Sequence, residues 1–432
     1  MTKRKKQLLS VIVVLIAAAL IAWLLHERSA SARLQTSATH AHPPALASGT
    51  HPLRAPQGAR APVREPTWYE AMQAEVAKLL GFAEPFAYVD VEVCGIGKER
   101  VRAVDAGLPP LLAIAVEQEW AAWREKLGQS ANAANRVAVQ FVDTLRVAAN
   151  ASTEFDRRSS GTQAEREESA RISKQAAAPL AMALLESAKS SNDLSVIVAA
   201  MDMCGYMPGN ACSVDFATRL TQVDPDNLYS WQRLASAAKQ SGDEALRSQA
   251  IIRAAEAPRY ETPPNPARHL LASEEFANLP EATRQRLSHM LLPLAFDTSF
   301  SQVELFSHCN PKDEWTDPGK AKRCRHFAEM LAVKDDLISP TLAAVLSVNA
   351  GWPPSRSDAM MNEREVLMNE LTAMSAGAPY SCEKMKETEA YARDYARTGE
   401  RTALRKRIEA RGETMQQAVA RVVEQRQTGK RK

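Results

Sequence analysis

Six cysteines are the residues of this 432-residue chain that are best able to do chemistry. An even number of cysteines in an exported chain is typical of a disulfide framework. Their spacing predicts two local bridges and leaves one pair of cysteines over, although the sequence leaves other pairings open. The predicted pairs are Cys204 with Cys212, Cys309 with Cys324, and Cys94 with Cys382.

A zinc site is the alternative interpretation of the second pair. His308, Cys309, Cys324 and His326 place two thiols and two imidazoles within a short stretch of sequence. Their spacing does not match a common zinc template, and oxidation outside the cytoplasm competes with metal binding. The sequence therefore predicts a disulfide at this place and no metal.

Carboxylates beside aromatic rings are the other candidates for chemistry. Glu117 and Glu119 adjoin Trp120 and Trp123, and a carboxyl group in such surroundings can act as the acid of a glycosidase. Residues two positions apart point in different directions on a helix, so we interpret both as solvated glutamates beside a core stripe. The glycines of Gly95–Lys98 are too few for a nucleotide loop. The sequence predicts no catalytic residue and no cofactor-binding residue.

The N-terminal segment predicts an anchor in a membrane. Residues 8–25 read LLSVIVVLIAAALIAWLL, and a helix of this length rises about 27 Å, close to the roughly 30 Å of the hydrocarbon core. The basic residues Lys3–Lys6 predict a cytoplasmic N-terminus. The alternative is a cleaved signal peptide, for which Ala30-Ser31-Ala32 offers a cleavage pattern. Both interpretations place the rest of the chain outside the cytoplasm.

Composition changes along the chain predict four regions. The anchor and its basic tip occupy 1–28. A linker rich in Ala, Pro and His follows at 29–66, where His40, His42 and His51 are interpreted as solvated. A helical domain is predicted at 67–265, and a C-terminal helical region packed on it at 266–432.

The exported body is predicted to be all-α. Aromatic residues make up only 6% of the chain, and Ala and Leu dominate the apolar positions, which favours helices over strands. Apolar residues recur at helical spacing, as at Val137, Phe141 and Ala148. One alternating run at 86–93 predicts either a short strand or an extended segment, and 401–427 predicts one charged C-terminal helix. A net charge of only +3 argues against a nucleic-acid partner.

A recurring helix-pair pattern is clearest at residues 224–258. Gly242 is expected to end the first helix, and Asp243 to cap the second. The segment resembles a tetratricopeptide repeat. It departs from that family at Arg247, where a small residue is usual, and at Ala238, where an aromatic residue is frequent. The residues that would form the repeat core are Trp231, Leu234, Ala235, Ala238, Gly242, Ile251 and Ala254.

The resemblance implies antiparallel helix pairs in a tetratricopeptide-like or irregular α-solenoid array. Members of that class mostly bind other proteins on a concave surface. Together with the anchor at 8–25, it predicts a single-pass protein of a bacterial inner membrane with a periplasmic body. The expected role is a non-enzymatic scaffold or adaptor for another envelope protein. The alternative is a cell-envelope enzyme, such as a cell-wall hydrolase, with a site between helices.

Overall fold

A computed structural model describes residues 88–102, 109–156, 162–207, 211–296, 302–310, 315–375 and 381–429. The predicted anchor at 8–25 and the predicted linker at 29–66 lie outside the described residues. Within the described ranges, no helix combines the length and apolar character needed to cross a bilayer. The expectation of an all-α body is confirmed at the level of a mainly helical chain, with one small hairpin added.

Seventeen α-helices are found in the described residues. The first nine are α1 (Pro110–Gly128), α2 (Ala133–Asp156), α3 (Gln163–Ala188), α4 (Leu194–Met203), α5 (Ala211–Val223), α6 (Leu228–Ser241), α7 (Glu244–Glu256), α8 (Pro266–Ala272) and α9 (Glu274–Ala277). The others are α10 (Glu281–Ala295), α11 (Gln302–His308), α12 (Pro318–Ala332), α13 (Ser339–Ala350), α14 (Pro354–Ser375), α15 (Cys382–Thr398), α16 (Glu400–Ala410) and α17 (Met415–Gly429).

A β-hairpin begins the described chain. Strand β1 (Tyr88–Val93) pairs antiparallel with β2 (Gly97–Arg102), and Gly95 supports the turn with a φ of +71°. Of the two alternatives for 86–93, the described part shows the strand. The second strand was not predicted, because GKERVR has only one apolar residue, Val101, and no visible alternation.

The chain divides into two compact units. The first comprises residues 1–115, 146–176 and 378–380, and its described part holds the hairpin and portions of α1, α2 and α3. There the backbone N–H of Leu111 donates to Glu99, and the Ser173 hydroxyl donates to the carbonyl of Ala148. The second unit comprises 116–145, 177–377 and 381–432. The predicted division of the body at residue 265 stays a prediction.

The second unit has a continuous apolar core built mainly from Leu and Ala. Helices that follow each other in sequence pack together, as α6 does with α7 and α12 with α13. Buried alanines such as Ala235 and Ala254 leave room for neighbouring helices to approach. Trp120, Trp123 and Phe276 form an aromatic cluster, with ring centroids 5.9 and 5.7 Å apart along the series.

Polar side chains set where many of these helices begin. Each accepts a hydrogen bond from a backbone N–H in the first turn, which would otherwise have no partner inside the helix. The N-terminal caps of this kind include Asp193, Asn227, Asp243, Asn265, Ser273, Asp317 and Ser381.

The expectation of a single helix over 401–427 is wrong. The chain forms two helices there, α16 and α17, separated by a turn at Arg411–Thr414. Gly412 has a φ of +79°, a left-handed conformation that ends the first helix. The apolar spacing continues across this turn, which is why periodicity alone predicted one helix here instead of two.

Candidate functional site

A cavity of about 210 Å³ in the second unit combines an apolar floor with three arginines. Its walls come from α8 to α10 and from α15, segments more than a hundred residues apart in sequence. We call it the arginine pocket. Its lining residues are Leu271, Phe276, Ala277, Arg284, Arg393 and Arg397.

The floor of the arginine pocket is rigidly held. Leu271 and Phe276 are each only 1% exposed, and the Phe276 ring contacts Trp123 in the aromatic cluster. The hydroxyl of Ser273 accepts a hydrogen bond from the Phe276 N–H and so starts the short helix α9. The floor therefore offers a fixed apolar surface rather than a mobile one.

Arg284 is fixed by several hydrogen bonds. Its Nη1 donates to the carbonyl of Leu279 at 2.6 Å and to that of Ala277 at 3.3 Å. Its Nε donates to the Glu389 carboxylate at 3.2 Å. These contacts orient the guanidinium plane before any ligand arrives, which lowers the entropic cost of binding.

Arg393 and Arg397 lie one turn apart on α15. Arg393 also contacts Glu389, with an Nη1 to Oε1 distance of 3.4 Å. Arg397 is exposed and makes no ion pair within the described part of the chain. Among the described residues, Glu389 is the one carboxylate that pairs with these arginines, contacting Arg284 and Arg393, so the three guanidinium groups keep a net charge of +2 for a ligand.

The side chains of the arginine pocket favour binding over catalysis. Arginine stays protonated at any pH that a folded protein meets, so it cannot serve as a general base. Its planar fork matches a carboxylate or phosphate in two parallel hydrogen bonds. None of the residues lining the pocket is a nucleophile or a carboxylic acid. The arrangement suits an anionic group attached to an apolar one.

The residues predicted for the repeat core lie on the two neighbouring helices α6 and α7. Gly242 ends α6 with a φ of +79°, and the Asp243 carboxylate caps α7 by accepting from the Leu246 N–H at 2.9 Å. Trp231 is only half-buried, and its indole N–H donates to the carbonyl of Pro225 at 2.6 Å. Arg247 forms an ion pair with Glu304. The fully or almost fully buried members are Leu234, Ala235, Ala238, Ile251 and Ala254.

The positions of the cysteines are compatible with disulfide bonds. Cys204 bonds to Cys212 and Cys309 bonds to Cys324, each with Cα atoms 5.6 Å apart, inside the usual range for a bridge. The described residues contain no free cysteine. Cys94 and Cys382 are also disulfide-bonded, and their pairing with each other stays a prediction.

The two histidines of the zinc alternative have different surroundings. The Nε2 of His326 lies 3.2 Å from the carbonyl oxygen of Ala257. His308 lies beside the Cys309–Cys324 bond. Burial lowers the pKa of His308 to about 4, and the charges of Arg323 and Lys320 act in the same direction.

Glu119, one of the two glutamates beside the tryptophans, forms an ion pair with Arg286. Glu119 accepts hydrogen bonds from Arg286, with Nε at 2.8 Å, and from the Thr283 hydroxyl at 3.1 Å. It therefore links α1 to α10 as an ion-paired carboxylate, which differs from the solvated side chain that the sequence suggested. Trp120 and Trp123 are core residues, as expected.

The arginine pocket was missed by sequence reasoning. The spacing of Glu389, Arg393 and Arg397 shows only that three charged groups share one face of a helix. No local signal connects them to Arg284 or to the floor at Leu271 and Phe276.

Comparisons with known proteins find no protein similar to this chain. No protein-family model, no curated protein and no solved structure matches the chain.

Proposed function

We propose that this protein is a membrane-anchored, periplasmic scaffold or adaptor that binds another protein of the bacterial envelope without catalysing a reaction. The observation that carries the proposal is the arginine pocket. Its three arginines, of which Arg284 is fixed by several hydrogen bonds, surround an apolar floor, and its lining offers no group able to transfer protons.

The chemistry of the arginine pocket specifies the part of the partner that it recognises. Two uncompensated guanidinium charges favour a carboxylate, and the adjoining Leu271 and Phe276 favour an apolar side chain beside it. A partner segment with an acidic residue next to an apolar one satisfies both. At about 210 Å³ the cavity has room for one or two side chains and not for a large substrate.

The proposed location rests on the sequence and on the cysteines. The apolar run at 8–25 with its basic flank is an anchor signal. Disulfides persist in oxidising compartments such as the periplasm, and the cysteine positions are compatible with them. A helical body that contains paired helices such as α6 and α7 supports the scaffold interpretation and, with it, the proposed tetratricopeptide-like array.

A comparative pull-down tests the proposed function. The full-length protein is purified from gently solubilised membranes in three forms: wild type, the double variant Arg393→Glu/Arg397→Glu, and Arg325→Glu. Arg325 is exposed on α12 and lies outside the arginine pocket, so its variant has the same kind of charge reversal elsewhere. We expect a partner retained by the wild type and by Arg325→Glu, and lost from the double variant.

Two outcomes of the pull-down would contradict the proposal. One is the same set of partners on all three forms, which would separate binding from the arginine pocket. The other is no specific partner on the wild type under conditions that preserve membrane complexes. Circular dichroism of each form checks that the helical content is unchanged.

A further inference from the structure

Three side chains of types that can bind a metal lie close together between the C-terminal end of α11 and the neighbouring helix α12. His308 is the last residue of α11, Cys309 follows it directly, and Cys324 lies on α12. One ligand atom from each of the three lies within 4.8 Å of the others. Both cysteines are fully buried, while His308 keeps partial exposure, so the cluster lies close to the surface.

One ring nitrogen of His308 makes no hydrogen bond to the described residues. This nitrogen, Nε2, is buried. A buried nitrogen without a partner is unfavourable, so such atoms in folded proteins call for an explanation. One ring nitrogen of His308 lies within 4.8 Å of both sulfur atoms, and imidazole nitrogen and thiolate sulfur are preferred ligands of zinc.

We propose that reduction of the Cys309–Cys324 bond turns this cluster into a binding site for one Zn²⁺ ion held by His308, Cys309 and Cys324. Three protein ligands leave the fourth tetrahedral position for water. The site is distinct from the arginine pocket and does not depend on the proposed function. It differs from the zinc template considered from the sequence because His326, which contacts the Ala257 carbonyl, is not among the ligands.

The conversion balances with a dithiol as reductant. The dithiol gives two electrons and two protons to the disulfide; the Cys309–Cys324 bond breaks, two thiols form, and the reductant becomes a disulfide. Zn²⁺ then displaces the two thiol protons, which pass to water. Two thiolates and one Zn²⁺ have no net charge, the same as the disulfide, so the exchange adds no uncompensated charge to the buried site.

Zinc binding by the reduced full-length protein in detergent tests the proposal. Dithiothreitol reduces the protein and is removed without air, and Zn²⁺ is then titrated against a chromophoric chelator. The Cys204→Ser/Cys212→Ser variant removes the other local disulfide, which has no histidine in a comparable cluster within the described residues. We expect this variant to hold one zinc ion when reduced and none when oxidised.

Ligand variants decide between this site and adventitious binding. Cys309→Ser/Cys324→Ser should abolish tight binding by the reduced protein, and His308→Ala should weaken it by about tenfold or more. His326→Ala is the matched control and should bind as tightly as its parent. Equal zinc affinity with and without the two cysteines, or with and without His308, would overturn the proposal. The oxidised His308→Ala protein retains the disulfide, so its circular dichroism reports independently on folding.

Discussion

At the scale of single residues, the most tightly enclosed glycine among the described residues lies at the junction of α15 and α16. Gly399 is buried with a φ of +97°, and a Cβ at this position would overlap the Asp335 carboxylate. That carboxylate cannot easily move, because its Oδ1 accepts from both the N–H and the hydroxyl of Thr402 at 3.0 Å. Burial raises the pKa of Asp335, and burial also raises that of neighbouring Glu400 to about 7.

Gly399→Ala should therefore destabilise the protein more than Gly242→Ala. Both glycines have positive φ, which makes any L side chain unfavourable by about 1–2 kcal/mol. Only Gly399 adds a collision, since a Cβ at Gly242 meets nothing within 4 Å. Denaturant unfolding of the two full-length variants, followed by the helical circular dichroism signal, measures the difference. Equal losses of unfolding free energy would show that Asp335 gives way at little cost.

At the scale of elements, carboxylates on α14 hold the C-terminal helices. Glu370 is 4% exposed and accepts from Arg407, with Nε at 3.2 Å, and from Arg411, with Nη1 at 2.8 Å. About two turns earlier on the same helix, Glu363 pairs with Arg401 and Arg405. The four arginines lie on α16 or at its C-terminal cap, Arg411, so these ion pairs hold α16 just before the turn into α17. Docking of this region on the body, rather than on a partner, is therefore an electrostatic as well as an apolar contact.

Glu370→Ala should lower the free energy of unfolding by about 1.5 kcal/mol, because it removes a buried carboxylate that accepts hydrogen bonds from half-buried Arg407 and exposed Arg411. Glu413→Ala is the matched control. It removes the pair between Glu413 and Arg421, which lies in water and contributes little, so its unfolding transition should stay close to that of the wild type. Urea titration of both variants makes the comparison. If Glu370→Ala unfolds like Glu413→Ala, the ion pairs on α14 do not hold the C-terminal helices.

At the scale of the whole molecule, the sequence predicts local structure better than assembly. Helix starts were readable where a side chain such as Asp243 caps the next turn, and the helix end at Gly242 was readable from its lack of Cβ. The second strand was not, because its polar sequence carries no period. The arginine pocket was not predictable either: Arg284 and Glu389 are 105 residues apart, and nothing in one sequence reports such a distant contact.

The direction of the body relative to the membrane is a prediction for the whole chain. Alkaline phosphatase fused after residue 432 should be active in intact bacteria, because that enzyme folds only in an oxidising compartment, where its disulfides form. Replacing Lys3–Lys6 by glutamines should reduce the active fraction, since these charges set orientation. A fusion with no phosphatase activity, but with full activity of a cytoplasmic reporter at the same place, would contradict export.

The permanent charge of the arginine pocket has a consequence for the conditions under which it works. Guanidinium groups do not titrate between acid and alkaline media, so acidification of the surroundings would not switch the pocket off until the carboxylate of the ligand itself took up a proton. Ionic strength acts differently. Arg397 is exposed, and salt at physiological concentration screens exposed charges over about 8 Å. Higher salt would therefore weaken the proposed complex with an acidic partner, whereas a moderate change of pH would leave it intact.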